Sequence, residues 1–185
     1  PVESIICEPD VTVCVGKDHS IDTEVLPENS SDKTLTYKSS DDTVVKVDDN
    51  GILTGLKKGN ATISISSVNG ITAECQVTVK QPVTAIQLDE TSISLTVNRT
   101  KELNAVLIPD DADFNTEVTY SSSDSSVATV DANGNITAVS SGSTTITATA
   151  KDVDGNALTA ACEVRVLPKK VSSGSQSSSS SAPSS

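Results

Sequence analysis

Residues 120–146 read YSSSDSSVATVDANGNITAVSSGSTTI, and residues 37–63 read YKSSDDTVVKVDDNGILTGLKKGNATI. The two stretches align without a gap and agree at 13 of 27 positions: Tyr, Ser-Ser-Asp, two Val, Asp, Asn-Gly, Thr, Gly, Thr and Ile. Such self-similarity divides the 185-residue chain into two copies of one unit of about 80 residues each. Within each copy, valines bracket a two-residue step (Val44 and Val47; Val127 and Val130), and an Asp-x-Asn-Gly turn follows at Asp48–Gly51 and Asp131–Gly134. Asn-Gly favours a two-residue type I′ hairpin, in which both residues take positive φ. After Gly59 and Gly142 the chain alternates polar with apolar, as in Thr62-Ile63-Ser64-Ile65, the period of a strand with one buried face.

The whole pattern resembles the bacterial immunoglobulin-like domain, group 2: an aromatic, S-S-D, V-x-x-V-D-x-N-G, a short apolar strand, and a Gly before T-x-I. That family is a module of bacterial surface proteins, including the stalks of intimin- and invasin-type adhesins. Its aromatic is usually Trp. Here Tyr37 and Tyr120 stand in that place, each needing a partner for its hydroxyl when buried.

Working outward, residues 2–7 and 11–15 read as a first strand split at Glu8-Pro9-Asp10, with counterparts at 83–88 and 93–97 split at Asp89-Glu90-Thr91. Residues 20–26 and 102–108 each read as one strand ending at Pro27 or Pro109. Strands at 35–38 and 118–121 lead into the repeated stretch, and a final hairpin turns at Asn69-Gly70 in the first copy and within 152–156 in the second. Short strands at regular spacing without helical periodicity predict an all-β protein of two tandem immunoglobulin-like β-sandwiches. The expected boundaries are 1–80, 81–168, and a disordered Ser-rich tail over 169–185. The short Lys80-Gln81-Pro82 junction predicts a rod, and a chain starting at Pro1 on a strand-like segment reads as part of a longer secreted protein.

The core must be aliphatic, since the chain has no Trp or Met, one Phe and two Tyr. A net charge of −12 with two arginines, Arg99 and Arg165, argues against nucleic acid and anionic membranes as partners. No apolar run approaches the ~18 residues of a membrane-spanning helix, so no membrane insertion is expected.

Four cysteines could make two disulfides. Cys75 and Cys162, however, occupy the same place in the two copies, and the second copy holds no other Cys, which favours buried thiols. Cys7 replaces the core-facing Leu88, and Cys14 replaces Thr96 with outward parity. One bridge, Cys7 to Cys75, stays open.

Asp152-Val-Asp154-Gly155-Asn156 resembles the start of a calcium loop, and the twelfth position counted from Asp152 is Glu163. That glutamate falls in a strand pattern, so a polar hairpin turn explains the segment better. Asp110, Asp111 and Asp113 form another acidic cluster, which reads as a solvated loop rather than a metal site. His19 is the only histidine and has no nucleophile or second base beside it in a motif. Asn29, Asn60, Asn98 and Asn135 begin N-x-S/T sequons that a Thr-rich strand composition generates readily.

No catalytic, cofactor-binding or metal-binding residue is assigned, no cofactor is expected, and the chain reads as a nonenzyme. The expected role is a noncatalytic module at a bacterial cell surface or outside the cell, a monomeric spacer or adhesive stalk whose surface ligand, if it has one, is a protein or glycan. The alternative is a carbohydrate-binding accessory module of a secreted enzyme, for which Phe114 is the one candidate exposed ring.

Overall fold

The structure is a computed structural model, and it describes residues 1–114 and 116–172. Most of the expected Ser-rich tail, residues 173–185, lies outside the described residues. Those described form strands, turns and irregular segments with no helix, hence none long and apolar enough to cross a membrane.

The first repeat contains β1 (Ser4–Cys7), β2 (Asp10–Cys14), β3 (Asp18–Ser20), β4 (Thr23–Leu26), β5 (Leu35–Ser39), β6 (Val45–Val47), β7 (Ile52–Gly55), β8 (Gly59–Ser67) and β9 (Thr72–Lys80). They assemble as a four-stranded sheet β2-β9-β8-β5, a three-stranded sheet β3-β7-β6 and a two-stranded sheet β1-β4. The second repeat contains β10 (Ala85–Leu88), β11 (Ser92–Thr96), β12 (Thr100–Glu102), β13 (Ala105–Ile108), β14 (Thr119–Ser122), β15 (Ala128–Val130), β16 (Asn135–Ala138), β17 (Gly142–Lys151) and β18 (Ala157–Leu167). Its sheets repeat the plan as β11-β18-β17-β14, β12-β16-β15 and β10-β13. Each four-stranded sheet carries one parallel pair: Asp10 opposite Gln76 in β2-β9, and Ser92 opposite Glu163 in β11-β18.

Period-two patterning decides which face is buried. In β9 Cys75, Val77 and Val79 point inward while Glu74, Gln76 and Thr78 face solvent, and in β18 Cys162, Val164 and Val166 do the same. Val45, Leu53, Ile63 and Ile65 complete the first core. Leu103, Ile136 and Ile146 anchor the second, each such side chain contributing roughly 1.5–3 kcal/mol when fully buried.

The structure corrects two local expectations. Residues 20–26 and 102–108 are not single strands: β3 pairs with β7 whereas β4 pairs with β1, and β12 and β13 divide in the same way. Ile21 and Leu103 sit at the switch, buried, donating their backbone N–H to the carbonyls of Gly51 and Gly134 at 3.0 and 2.9 Å. The chain therefore changes sheets there and still satisfies its backbone.

The Asn-Gly turns are also not type I′. Gly51 and Gly134 have φ of 76° and 86°, but neither Asn50 nor Asn133 has positive φ. Gly51 and Gly134 donate N–H to the carbonyls of Asp48 and Asp131, closing a turn whose single left-handed residue is the glycine.

Candidate functional site

The element repeated in both copies is the natural place to look for a binding motif, and its polar groups turn inward on their own turns. Asp41 and Asp124 each accept hydrogen bonds at Oδ1 from the backbone N–H two residues on, of Thr43 and Ser126, at 2.9 Å. Ser40 and Ser123 accept from the N–H of Thr62 and Thr145, also at 2.9 Å, tying the turn to the long strand behind it. Asp48 Oδ1 accepts from Asn50 and Ile52, and Asp131 Oδ1 from Asn133 and Asn135. All four carboxyls are held below their usual range by bonds that favour the ionised form: for Asp41 and Asp124 the largest cause is the hydroxyl of Thr43 or Ser126, which also donates to Oδ1, for Asp48 the Ile52 N–H, and for Asp131 the Asn135 side chain. The tyrosines are half-buried against their cores, and the Tyr37 hydroxyl lies 3.2 Å from Thr23 Oγ1.

The same turn chemistry claims the calcium-like segment. Asp152 Oδ1 accepts from the N–H of Asp154 and Asn156, Oδ2 accepts from Asn156 Nδ2, and Gly155 takes φ of 84°. Glu163 lies well along β18 on its solvent face, away from that loop. Asp110 and Asp111 are exposed, and Asp113 Oδ2 accepts from the Gln81 N–H at 2.7 Å. Among the described residues no three His, Cys, Asp or Glu side chains converge. His19 Nε2 lies 3.0 Å from Glu8 Oε2, an exposed pair that holds the Glu8 carboxyl down.

All four cysteines are free thiols. Cys75 and Cys162 are fully buried; Cys7 and Cys14 are half-exposed. Burial raises the Cys162 thiol and pushes Cys75 up to about 11.

Sequence reasoning missed one surface feature of the second repeat, a polar groove of 480 Å³ on the four-stranded sheet. Ser94, Ser143, Thr145, Glu163 and Arg165 line it. The register places Thr12, Gln76 and Thr78 of the first repeat where the second has Ser94, Glu163 and Arg165, so the charges are peculiar to the second copy. The alternation of β18 already put Glu163 and Arg165 on one face; what the sequence does not show is that β11 and β17 bring hydroxyls beside them.

Comparison with known proteins bears on both repeats. The model of the bacterial Ig-like domain (group 2) matches residues 1–78 and again 82–160. An uncharacterised protein of Clostridium acetobutylicum is 35% identical over 154 residues, 82% of this chain, but this chain spans only 16% of that protein. An Ig-like virion protein of Serratia phage KSP90 is 31% identical over 90% of this chain and 66% of its own length. Among solved structures, Drosophila N-cadherin EC1-4 shares the fold at 15% identity, TM-score 0.52, over 91% of this chain and 50% of that one. With two sandwiches built on one strand plan and a family match across each, the chain belongs to the bacterial Ig-like domain family, group 2, as a tandem pair.

Proposed function

We propose that the pair serves as a noncatalytic spacer or stalk in a bacterial surface or secreted protein, holding a neighbouring domain at a distance. Domains of this family are generally noncatalytic and typical of extracellular proteins. The observation that carries the reading is the internal engagement of the repeated element: its Asp and Asp-x-Asn-Gly groups bond to their own turns, its serines to the long strand behind, and together they leave a scaffold rather than a receptor. The accessory-module alternative needs a sugar platform, and no aromatic ring lines the groove at Glu163 and Arg165, while Phe114 is half-buried elsewhere. The test is an array of glycans and extracellular-matrix proteins probed with the purified chain. A spacer gives no specific signal at micromolar concentration. Specific glycan binding lost in Arg165→Ala would replace this reading with the carbohydrate one.

A further inference from the structure

We propose that Cys7 and Cys75 form a redox-linked disulfide site confined to the first repeat, closed by thiol–disulfide exchange with a small oxidised thiol such as glutathione disulfide. Cys7 ends β1, and its Sγ lies 3.5 Å from the carbonyl oxygen of Glu74, the residue immediately before Cys75. Its side chain packs against the same core cluster in which Cys75 is wholly buried. The two thiols therefore both lie along one stretch of β9 and against one core, Cys7 at its rim and Cys75 inside it. Their neighbours do not share this placement. Cys14 lies opposite Lys80 in the ladder, five residues further along β9, and off the inward parity of Val11 and Val13. In the second repeat Leu88 closes β10 where Cys7 closes β1 and packs against the core holding Cys162, so that core has no second thiol.

Access also favours Cys7 as the first to react. It lines a surface pocket of 370 Å³ between Ile6 and Thr23, open to a small reagent. In the first step the Cys7 thiolate attacks one sulfur of glutathione disulfide, forming a mixed disulfide and releasing one glutathione thiolate. The Cys75 thiol then gives up its proton as the Cys7 sulfur is attacked, its sulfur displaces the second glutathione thiolate from the mixed disulfide, and the protons released by the two protein thiols protonate the two glutathione thiolates. The protein loses two electrons and two protons, and one glutathione disulfide becomes two thiols. Burial raises both protein thiols, with Glu8 adding to the effect at Cys7, so both steps accelerate as pH rises. The bond closes a loop spanning nearly all of the first repeat and restricts its unfolded chain.

The experiment incubates the intact chain with glutathione disulfide at pH 8, quenches with acid, and maps the unreduced peptides by mass spectrometry. The expected product joins the Cys7 and Cys75 peptides, two hydrogens lighter than the separate pair, with Cys14 and Cys162 still alkylatable after denaturation. Cys75→Ser should arrest at a glutathione adduct on Cys7. Cys7→Leu, the second repeat's own residue, should fold and give no cross-link, and only the wild type should show a first-repeat unfolding midpoint that rises on oxidation and returns with reductant. A wild-type chain that stops at the Cys7 adduct with Cys75 alkylatable, a bridge to Cys14, or no reaction at Cys7 would each overturn the proposal.

Discussion

Gly51 and Gly134 occupy the same position of the same turn with nearly the same φ, yet they are not equally replaceable. A Cβ on Gly51 would come within 2.9 Å of the Tyr37 ring, the outer part of a side chain that can shift. On Gly134 it would collide with the backbone carbonyl oxygen of Leu103 as well as approach Tyr120. A backbone atom at the point where the chain changes sheets cannot move without breaking the pairing of β12 or β13. Two copies of one sequence pattern thus tolerate change differently because of a neighbour that the pattern does not contain.

The largest expected effect breaks this comparison open. Gly134→Ala should cost about 3 kcal/mol or more, and Gly51→Ala about 1–2 kcal/mol, where positive φ is the main penalty. The sequence alone predicts equal costs for the two sites. Denaturant unfolding monitored by backbone amide signals from each repeat measures both, and equal losses would mean that the Leu103 carbonyl yields as readily as a tyrosine ring.

A middle-sized effect concerns the hydroxyl behind the Ser-Ser-Asp turn. Thr144 is buried, and its Oγ1 accepts from the Asp124 N–H at 2.9 Å while sharing hydrogen bonds with Ser122 and Ser123. The first repeat has Ala61 there, and Ser39 Oγ takes the Asp41 N–H instead, at 3.2 Å. Thr144→Ala should cost about 1–2 kcal/mol, since the N–H of Asp124 must find another acceptor. If Ser122 rotates to accept that bond as Ser39 does, the loss falls well under 1 kcal/mol, and the two turns are interchangeable solutions. Unfolding midpoints of Thr144→Ala and of Thr144→Ala with Ser122→Ala separate the two outcomes.

How much of this was legible follows from where the determining contacts lie. The strand faces of β9 and β18, the hairpin at Asp152 and the half-buried tyrosines could be read because period-two patterning and turn chemistry act between residues close in sequence. The break at Ile21 and Leu103 could not. The period-two alternation runs on through it, at Ile21, Thr23 and Val25 and at Leu103, Ala105 and Leu107, and the stop is set by a glycine carbonyl some 30 residues away in the chain. The turn type escapes a local reading for a related reason: Asn-Gly favours I′ in isolation, but the Asp two residues before the Asn offers its carboxylate to the Asn N–H and stabilises a conformation with only Gly at positive φ. The polar groove needs three strands brought together, and no local signal encodes it.

The turn aspartate also yields a smaller, reversible prediction. Asp131→Ala removes three hydrogen bonds, from Asn133 N–H, Asn135 N–H and Asn135 Nδ2, whereas Asp48→Ala removes the two backbone ones and a long contact from Asn50 Nδ2 at 3.5 Å. Each should cost about 1 kcal/mol, with the second repeat losing slightly more. Thermal unfolding of both variants checks the order; a larger loss at Asp48 would show that the Asn135 amide contributes nothing.

The smallest effect comes from the last hairpin of each repeat, where the same turn is held by different chemistry. Ser67 Oγ accepts from the Ile71 N–H in the first repeat, and Asp152 does the equivalent work for Asn156 in the second. A hydroxyl does not titrate in acid. The Asp152 carboxyl does, and its folded value is lowered, chiefly by the Asn156 side chain and then by the Asn156 N–H. A depressed folded pKa means the contribution is complete above the unfolded aspartate value, about 3.9, and fades as pH falls through the lower folded value. Between pH 5 and 7, then, both hairpins should be equally insensitive to pH, and below about pH 4 only the second should loosen. Amide exchange at Asp154 and Asn156, compared with Asn69 and Ile71, reads this out locally, without interference from Asp41, Asp48, Asp124 and Asp131, which titrate in both repeats. Asp152→Ser should make the second hairpin behave like the first across that range. If acid speeds exchange equally in both hairpins of the unmodified chain, the Asp152 carboxylate is not what holds its turn.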